Sequence, residues 1–531
     1  MPLPSDLSPL QRHRLEYKPE LPSILKHLKS LQAIPLDGGL ELSVDESIKP
    51  LFPYTASQPL LTFETGALKS HQPLNVGVFF SGGQAPGGHN VIAGLFDALR
   101  QLNPSNRLFG FLDGPDGMIK NRTVELTEEM INGYRNQGGF DLIGSGRTKI
   151  EKPEQFEAVT ENLKSLGLDG LVVIGGDDSN TNAAVLAEHF KQRGLPVSVV
   201  GVPKTIDGDL KNEYVELSFG FDTACKVYSE TIGNLAKDAL SAKKYYFFVK
   251  LMGRSASHVT LACALKTQVN LALIGEEVSA GNQTLHELVD QITDLICARS
   301  EVGKNYGVIL IPEGIIEFIA EFKLMIQELN LLFSQEGKID LTALSSHSAA
   351  CYHQLPDEIQ RQLLLDRDPH GNIQVSKIET ERLFITLVEK ELQRRRTEGK
   401  YAGTFNPQPL FYGYEGRSGL PSNFDCQYCY ALGHTAALLV NARATGYMGC
   451  IRHLSQSVKK WEIQAVPLTR MLHMERRKGK DTPVIQKGLV DLNGAFFGLY
   501  KKMRNNWMMN DHYCCPGPIQ FDGPPELTEG Q

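Results

Sequence analysis

The chain has 531 residues, a formal net charge of −7, 41% hydrophobic and 22% charged residues, a profile that fits two or three packed globular units and excludes a disordered or fibrous protein. So mild an acidic balance provides no broad basic face, so no nucleic-acid partner is expected and any anion must be held by local groups. No run approaches the ~20 apolar residues of a membrane span, and nine scattered cysteines, an odd number, predict a reducing, cytoplasmic setting rather than a disulfide framework.

Residues 1–74 are rich in Pro, Ser and Leu with weak periodicity and read as an N-terminal extension wrapped on the core of the chain. At Asn75 the pattern becomes strand, glycine turn, helix: apolar residues to Phe80, then Ser81-Gly82-Gly83, then Val91, Leu95, Ala98 and Leu99 at helical spacing. It returns at Leu171–Ile174, followed by Gly175-Gly176-Asp177-Asp178-Ser179, and again at Val197–Val202, which leads into Pro203-Lys204-Thr205-Ile206-Asp207-Gly208-Asp209. Continuous apolar strands alternating with helices predict a parallel sheet covered on both faces, with ligands at the strands' carboxyl ends, where all three turns fall. Residues 75–243 are therefore expected to form one α/β domain.

A second α/β set begins at Lys244, with strand Tyr245–Leu251, turn Met252-Gly253-Arg254, and strand Tyr306–Pro312 ending at Glu313. Ile315, Ile319, Phe322, Ile326, Leu329 and Phe333 are spaced for an apolar helical stripe. The expected second domain is 244–460, facing the first and carrying a helical insertion at about 315–400. Residues 461–531 are expected to pack back on the core. Cys426 and Cys429 have zinc-knuckle spacing, but without a second such pair they read as buried thiols.

Three turns carry the chemistry. Gly82 and Gly83 leave backbone N–H groups open to a phosphate beside a helix start, although an empty tight turn has the same sequence. No Gly-x4-Gly-Lys-Ser/Thr occurs, so a P-loop is excluded. Asp177 can hold magnesium at a strand end, or cap the following helix. Lys204 supplies positive charge for a phosphoryl group in flight, and Asp207 a base for a hydroxyl acceptor, unless Asp207 only caps a turn.

Taken with Gly144–Arg147, Lys244-Tyr245, Met252–Arg254, Pro312–Gly314 and Tyr414-Glu415-Gly416-Arg417, these turns resemble the phosphofructokinase superfamily over about 75–461. The resemblance is close to the pyrophosphate-dependent 6-phosphofructokinases of the long clade, which include the catalytic beta subunit of the plant enzyme. It implies two facing Rossmann-like α/β domains and Mg2+-dependent transfer from pyrophosphate to fructose 6-phosphate. By that resemblance Asp207 is the base and Asp209 its neighbour. Lys204 and Arg147 neutralise the transferring phosphoryl group, Asp177 binds the metal and Gly83 contacts pyrophosphate. Thr205, Ile206, Met252, Gly253, Arg254, Glu313, Tyr414, Glu415, Gly416 and Arg417 contact the sugar phosphate.

Lys244 and Tyr245 are implied to reach a neighbouring subunit's site, so a homodimer or higher oligomer is expected, with a related regulatory subunit as a further partner. ATP-using relatives carry glycine in place of Asp178 and commonly of Lys204. A carboxylate at 178 adds bulk and like charge where a nucleotide's α-phosphate would sit. The alternatives are a noncatalytic regulatory subunit and an ATP-dependent sugar-phosphate kinase.

Overall fold

Consecutive β-branched and aromatic residues, suited to burial on both faces, become the central strands of two sheets. The computed structural model describes residues 7–36, 44–332, 339–365, 373–477 and 480–528, so Phe333 lies outside the described residues. In chain order the strands are β1 (Leu31–Pro35), β2 (Leu61–Thr65), β3 (Asn75–Ser81), β4 (Arg107–Phe111), β5 (Thr123–Glu125), β6 (Ser145–Gly146), β7 (Gly170–Gly175) and β8 (Ser198–Pro203). The later strands are β9 (Tyr246–Leu251), β10 (Leu271–Ala272), β11 (Gly307–Pro312), β12 (Pro407–Tyr412), β13 (Tyr447–Arg452), β14 (Glu462–Pro467), β15 (Leu472–Arg477) and β16 (Lys480–Ile485).

The first sheet runs β1-β2-β14-β13-β8-β7-β3-β4-β5, with β6 pairing beside the end of β3. Its middle, from β13 to β4, is parallel. Its margins are not: β5 joins β4, and β14, β2 and β1 join in succession, by antiparallel ladders. The sheet is therefore mixed rather than purely parallel, because β14 turns back antiparallel on β13 and takes up β2, which β1 extends, while β5 turns back on β4. Strand β13, which the linear reading grouped with the second unit, pairs in the first sheet, and β14, from the 461–531 segment expected to pack back on the core, pairs beside it. The cause is helix Asn423–Asn441, buried along nearly its whole length, which packs on helix Gly88–Leu102 and delivers β13 beside β8.

The second sheet, β10-β11-β9-β12, is parallel throughout. Strand periodicity sorts its side chains: Phe247, Val249, Val308 and Leu310 enter the core shared with the first sheet, while Tyr246, Phe248, Ile309 and Ile311 face the inserted helices. Between β11 and β12 lie helices Ile315–Phe318, Ala320–Leu331, Ser346–Gln354, Asp357–Leu365 and Thr380–Thr397. Ile315, Ile319, Phe322, Ile326 and Leu329 are all buried there.

Register decides what the sheets present. Ser81 lies opposite Gly175, Gly175 opposite Pro203, and Ser81 opposite Gly146, so four loops leave one edge at the same height. In the second sheet Leu251 lies opposite both Pro312 and Tyr412. The carboxyl ends of both sheets thus carry all the turns with candidate chemistry except Lys244-Tyr245.

The crossing of helices Gly88–Leu102 and Asn423–Asn441 depends on two glycines. A Cβ on Gly94 would overlap the Tyr430 carbonyl, and one on Gly433 the Val91 carbonyl. Gly433→Ala is expected to lower unfolding stability by about 2 kcal/mol despite alanine's better helix propensity, measured by urea titration; an unchanged midpoint would show that the helices can separate at no cost.

Candidate active site between the two sheets

Beyond β3 the backbone does not enter a helix at once. Gly82 adopts a left-handed φ of 88°, its amide donates to the Gly146 carbonyl (2.9 Å), and the helix starts only at Gly88. The expected helix dipole therefore does not act directly behind Gly83. The two glycines provide open space instead. A Cβ on Gly82 would stand 3.2 Å from Lys204 Nζ; one on Gly83, 3.6 Å from Arg147 Nη2 and 3.8 Å from Arg417 Cζ. Three cations from the ends of β6 and β8 and from the loop after β12 converge on a floor free of side chains, which is what a polyanion requires.

The turn after β7 passes directly into helix Asp177–Gln192, with Gly176 as the N-cap and Asp177 and Asp178 as the first two helical residues. Asp177 is therefore not the cap, and Asp178 is solvent-exposed beside it. The Asn180 amide group holds the turn by donating to the Gly175 (2.6 Å) and Gly176 (3.0 Å) carbonyls. Ser179 Oγ ties it to Ser81 Oγ at 2.8 Å.

After β8 the chain forms no helix until Phe221, so Asp207 does not cap one either. The Thr205 hydroxyl accepts from the Asp207 amide (3.0 Å), and buried Ile206 pins the turn. Lys204 is 6% exposed. Desolvation draws its ammonium down to about 8, with Asp207 and Asp177 opposing that shift and Arg147 and Arg417 adding to it. Desolvation and the charge of Glu313 raise Asp207, against Arg254, Lys487 and Arg417. Asp209 is pushed up to about 6 by burial, Asp207 and Asp177, against Lys487 and a hydrogen bond from Thr205.

Across the cleft, Glu313 is buried, accepts from the Gly253 amide (3.2 Å), and is raised by desolvation. Gly314 has no room for a Cβ against the Arg254 carbonyl, which keeps the Met252–Arg254 strip beside Glu313. Glu317, Asp177, Asp207 and Glu313 are the carboxylates acting on Arg254. After β12, Glu415 accepts from the Gly413 amide (2.8 Å), Tyr228 donates to the Gly413 carbonyl (2.5 Å), and Gly416 packs against the Tyr228 ring. Glu415 and Gly416 thus shape a turn that carries exposed Tyr414, with the Arg417 guanidinium 4.7 Å from its ring.

Lys244 and Tyr245 precede β9, at the opposite end of the second sheet from Met252. A six-residue strand separates them by about 20 Å, so they do not join this chain's cleft. Conversely, the sequence reading overlooked Lys487. Its ammonium lies 3.5 Å from Asp177 Oδ2 and 4.0 Å from Asp209 Oδ2, and it donates to Ser255 Oγ at 2.6 Å. Nothing local in Gln486-Lys487-Gly488 marks it; only the path of the chain after β16 brings it in.

Converging cations and raised carboxylates at the facing carboxyl ends of two parallel strand sets define an α/β phosphate-handling protein. The phosphofructokinase family model matches residues 75–440. A pyrophosphate–fructose 6-phosphate 1-phosphotransferase of Porphyromonas gingivalis is 49% identical over 98% of this chain and 97% of its own length. The beta 1 subunit of the corresponding Arabidopsis thaliana protein is 50% identical over 97% of this chain and 92% of its own. A solved pyrophosphate-dependent phosphofructokinase from Nitrosospira multiformis shares the fold, with a TM-score of 0.55 at 16% identity over 85% of this chain and 95% of that one. The chain belongs to the phosphofructokinase family.

The raised Asp209 also affects stability. Its folded-state value of about 6 exceeds the ordinary 3.8, so its contribution is most favourable below about pH 4 and is lost as pH rises through about 6. Asp209→Asn is expected to melt higher than wild type at pH 8, with a difference that shrinks toward pH 4; calorimetry across that range would show the opposite trend if the carboxylate stabilised the fold.

Proposed function

We propose that this protein catalyses the reversible, Mg2+-dependent transfer of a phosphoryl group from pyrophosphate to the 1-hydroxyl of D-fructose 6-phosphate, giving fructose 1,6-bisphosphate and phosphate. The observation that carries the reading is the convergence of Lys204, Arg147 and Arg417 on the Gly82-Gly83 floor, with Asp207 at the same strand end. Lys204 and Arg147 receive the donor's phosphates, and Gly83 leaves its backbone accessible to them, while Arg417 borders the same floor from the sugar side. Asp207 takes the proton as the sugar oxygen forms its bond to phosphorus and the bridging bond of pyrophosphate breaks, releasing phosphate. Burial and Glu313 make Asp207 a stronger base than an exposed carboxylate, while Asp209 supports the same turn. Lys204 and Arg147 offset the charge spreading over the phosphoryl oxygens.

A magnesium ion fits this donor set. Among the described residues no group of three His, Cys, Asp or Glu side chains forms a cage for a cation. Mg2+ does not require one, since it keeps several waters and is held by one or two carboxylates together with substrate phosphates. Asp177 is the carboxylate that would hold it, and the ion would neutralise pyrophosphate oxygens. The sugar phosphate is met from the other side, with Glu313 accepting from sugar hydroxyls, Met252 and Gly253 lining it, and Arg254, Arg417 and Tyr414 at its phosphate. Thr205 and Ile206 lie on the acceptor side of the Asp207 turn.

Asp178 selects the donor. At the exposed start of its helix it adds bulk and a negative charge beside Asp177, which disfavours the longer polyphosphate of a nucleotide. The distance of Lys244 and Tyr245 from their own cleft supports a homo-oligomer in which they serve a neighbour's sugar-phosphate site. The nine free thiols support a cytoplasmic location.

A coupled assay with purified protein, Mg2+, fructose 6-phosphate and either pyrophosphate or ATP tests the reading. Turnover with pyrophosphate alone is expected; turnover with ATP alone would overturn the donor assignment, and none with either would point to a regulatory chain. Asp207→Asn is expected to lower kcat by ~10²–10⁴-fold with little change in melting temperature. Asp178→Gly is expected to weaken pyrophosphate use and admit measurable ATP use, and identical donor kinetics in that variant would remove its selecting role.

A further inference from the structure

The segment Gln486–Val490 leaves β16 and crosses the rim of the cleft as a strap. Backbone groups hold it there. The Gln486 amide donates to the Met471 carbonyl (2.9 Å) and the Gly488 amide to the Asp209 carbonyl (2.7 Å). His258 Nε2 meets the Gly488 carbonyl at 2.9 Å. The Val490 amide donates to Glu276 Oε1 (3.0 Å), which also accepts from the Ser257 amide (3.0 Å). Gly488 lies so close to the Asp207–Lys211 loop that a Cβ would overlap the Lys211 carbonyl. The strap thereby ties the loop after β8 in the first unit to Ser257, His258 and Glu276 in the second.

None of these bonds involves the Lys487 side chain, so the strap does not need that ammonium to stay in place. The ammonium instead reaches three groups of the cleft: Ser255 Oγ, Asp177 Oδ2 and Asp209 Oδ2. The carboxylate distances, 3.5 and 4.0 Å, exceed those of charge-assisted hydrogen bonds. Lys487 therefore supplies its field to both carboxylates without occupying their lone pairs.

We propose that Lys487 is a positioning residue of the phosphoryl-transfer site, acting through Asp177 and Asp209, and that the strap exists to deliver it across the junction of the two units. The inference rests on the reaction proposed for this cleft. Asp177, Asp207 and Asp209 crowd three carboxylates into adjoining loops, and an ammonium fixed between Asp177 and Asp209 from a separate backbone support offsets their mutual repulsion and holds the two side chains in place. Around Asp209 the charged and titratable groups are Asp177 and Asp207 from the first sheet, His258 from the second unit and Lys487 from the strap. Lys487 is the cation among the groups that lower Asp209, and it acts in the same direction on Asp207. Its hydrogen bond to Ser255, next to Arg254, gives the ammonium a fixed anchor on the sugar side.

Lys487→Met keeps the length and the apolar stem but removes the charge, while Lys487→Arg keeps the charge. Three measurements on the full chain decide the matter: the pH profile of kcat/KM with pyrophosphate, the affinity for the Mn2+ complex of non-hydrolysable methylenediphosphonate by water-proton relaxation, and thermal melting. In the Met variant the complex is expected to bind at least tenfold more weakly and the acid limb to move up by about one pH unit. Melting is expected to stay within ~3 °C of wild type, since the backbone bonds are untouched, and the Arg variant is expected to recover most of both losses. An unmoved acid limb with unchanged affinity overturns the proposal, as does an equal loss in both variants that tracks melting temperature. If wild type binds the complex but turns over neither donor, the assigned reaction fails and the binding comparison alone decides Lys487. A wild type that binds nothing overturns both.

Discussion

An ammonium buried at the end of a β-strand keeps its charge only if carboxylates or arriving anions stabilise it, and that constraint at Lys204 organises the structure around it. Burial draws Lys204 down while Asp207 and Asp177 oppose the shift, and Arg147 and Arg417 press from the other side. An arrangement with this much like charge on both sides is under electrostatic tension when no ligand is bound. A dense polyanion resolves it by taking up the cations and, with a metal, the carboxylates. On the function proposed for the cleft, phosphates would be drawn to it by the charge these groups bring together in a desolvated setting.

Holding those groups in place is the task of the two sheets. Loops after parallel strands leave at the height set by the ladder, and the pairing of Ser81, Gly175 and Pro203 fixes three of them together. The second sheet repeats the device with Leu251, Pro312 and Tyr412. The loops of the first sheet and those of the second thus sit on separate supports that meet at their carboxyl ends, where open α/β sheets favour ligands. The shared core of Val78, Phe80, Val249 and Leu310 lies beneath them, so the site rests on packed strands rather than on loops alone.

The same arrangement places the cost of function in identifiable residues. Asp207, Asp209 and Glu313 are all held above ordinary carboxylate values by desolvation, a sign that the fold tolerates buried charge where chemistry requires it. The C-terminal strap offsets part of that strain by bringing Lys487 to two carboxylates and by bonding its own backbone to the Asp209 carbonyl of one unit and to the His258 and Glu276 side chains of the other.

By itself the sequence determined the class of fold, the succession of strands and glycine turns, and most of the residues around the cleft, because strand burial, turn chemistry and charge are short-range properties written in neighbouring positions. It also identified the apolar stripe of the insertion from Ile315 to Leu329. Three features were decided only by tertiary structure. Strands β1, β2, β13 and β14 complete the first sheet because strand pairing depends on which edges are brought together, not on position along the chain. Asp177 and Asp207 are free of the capping role their sequence context allowed, since Gly176 is the N-cap of one helix and the other starts only at Phe221. Lys487 entered the site from far along the chain through a path fixed by β15 and β16 and by the bonds of Gly488, a contact with no local signal. Local patterns specify what each turn can do; the long-range fold decides which turns meet.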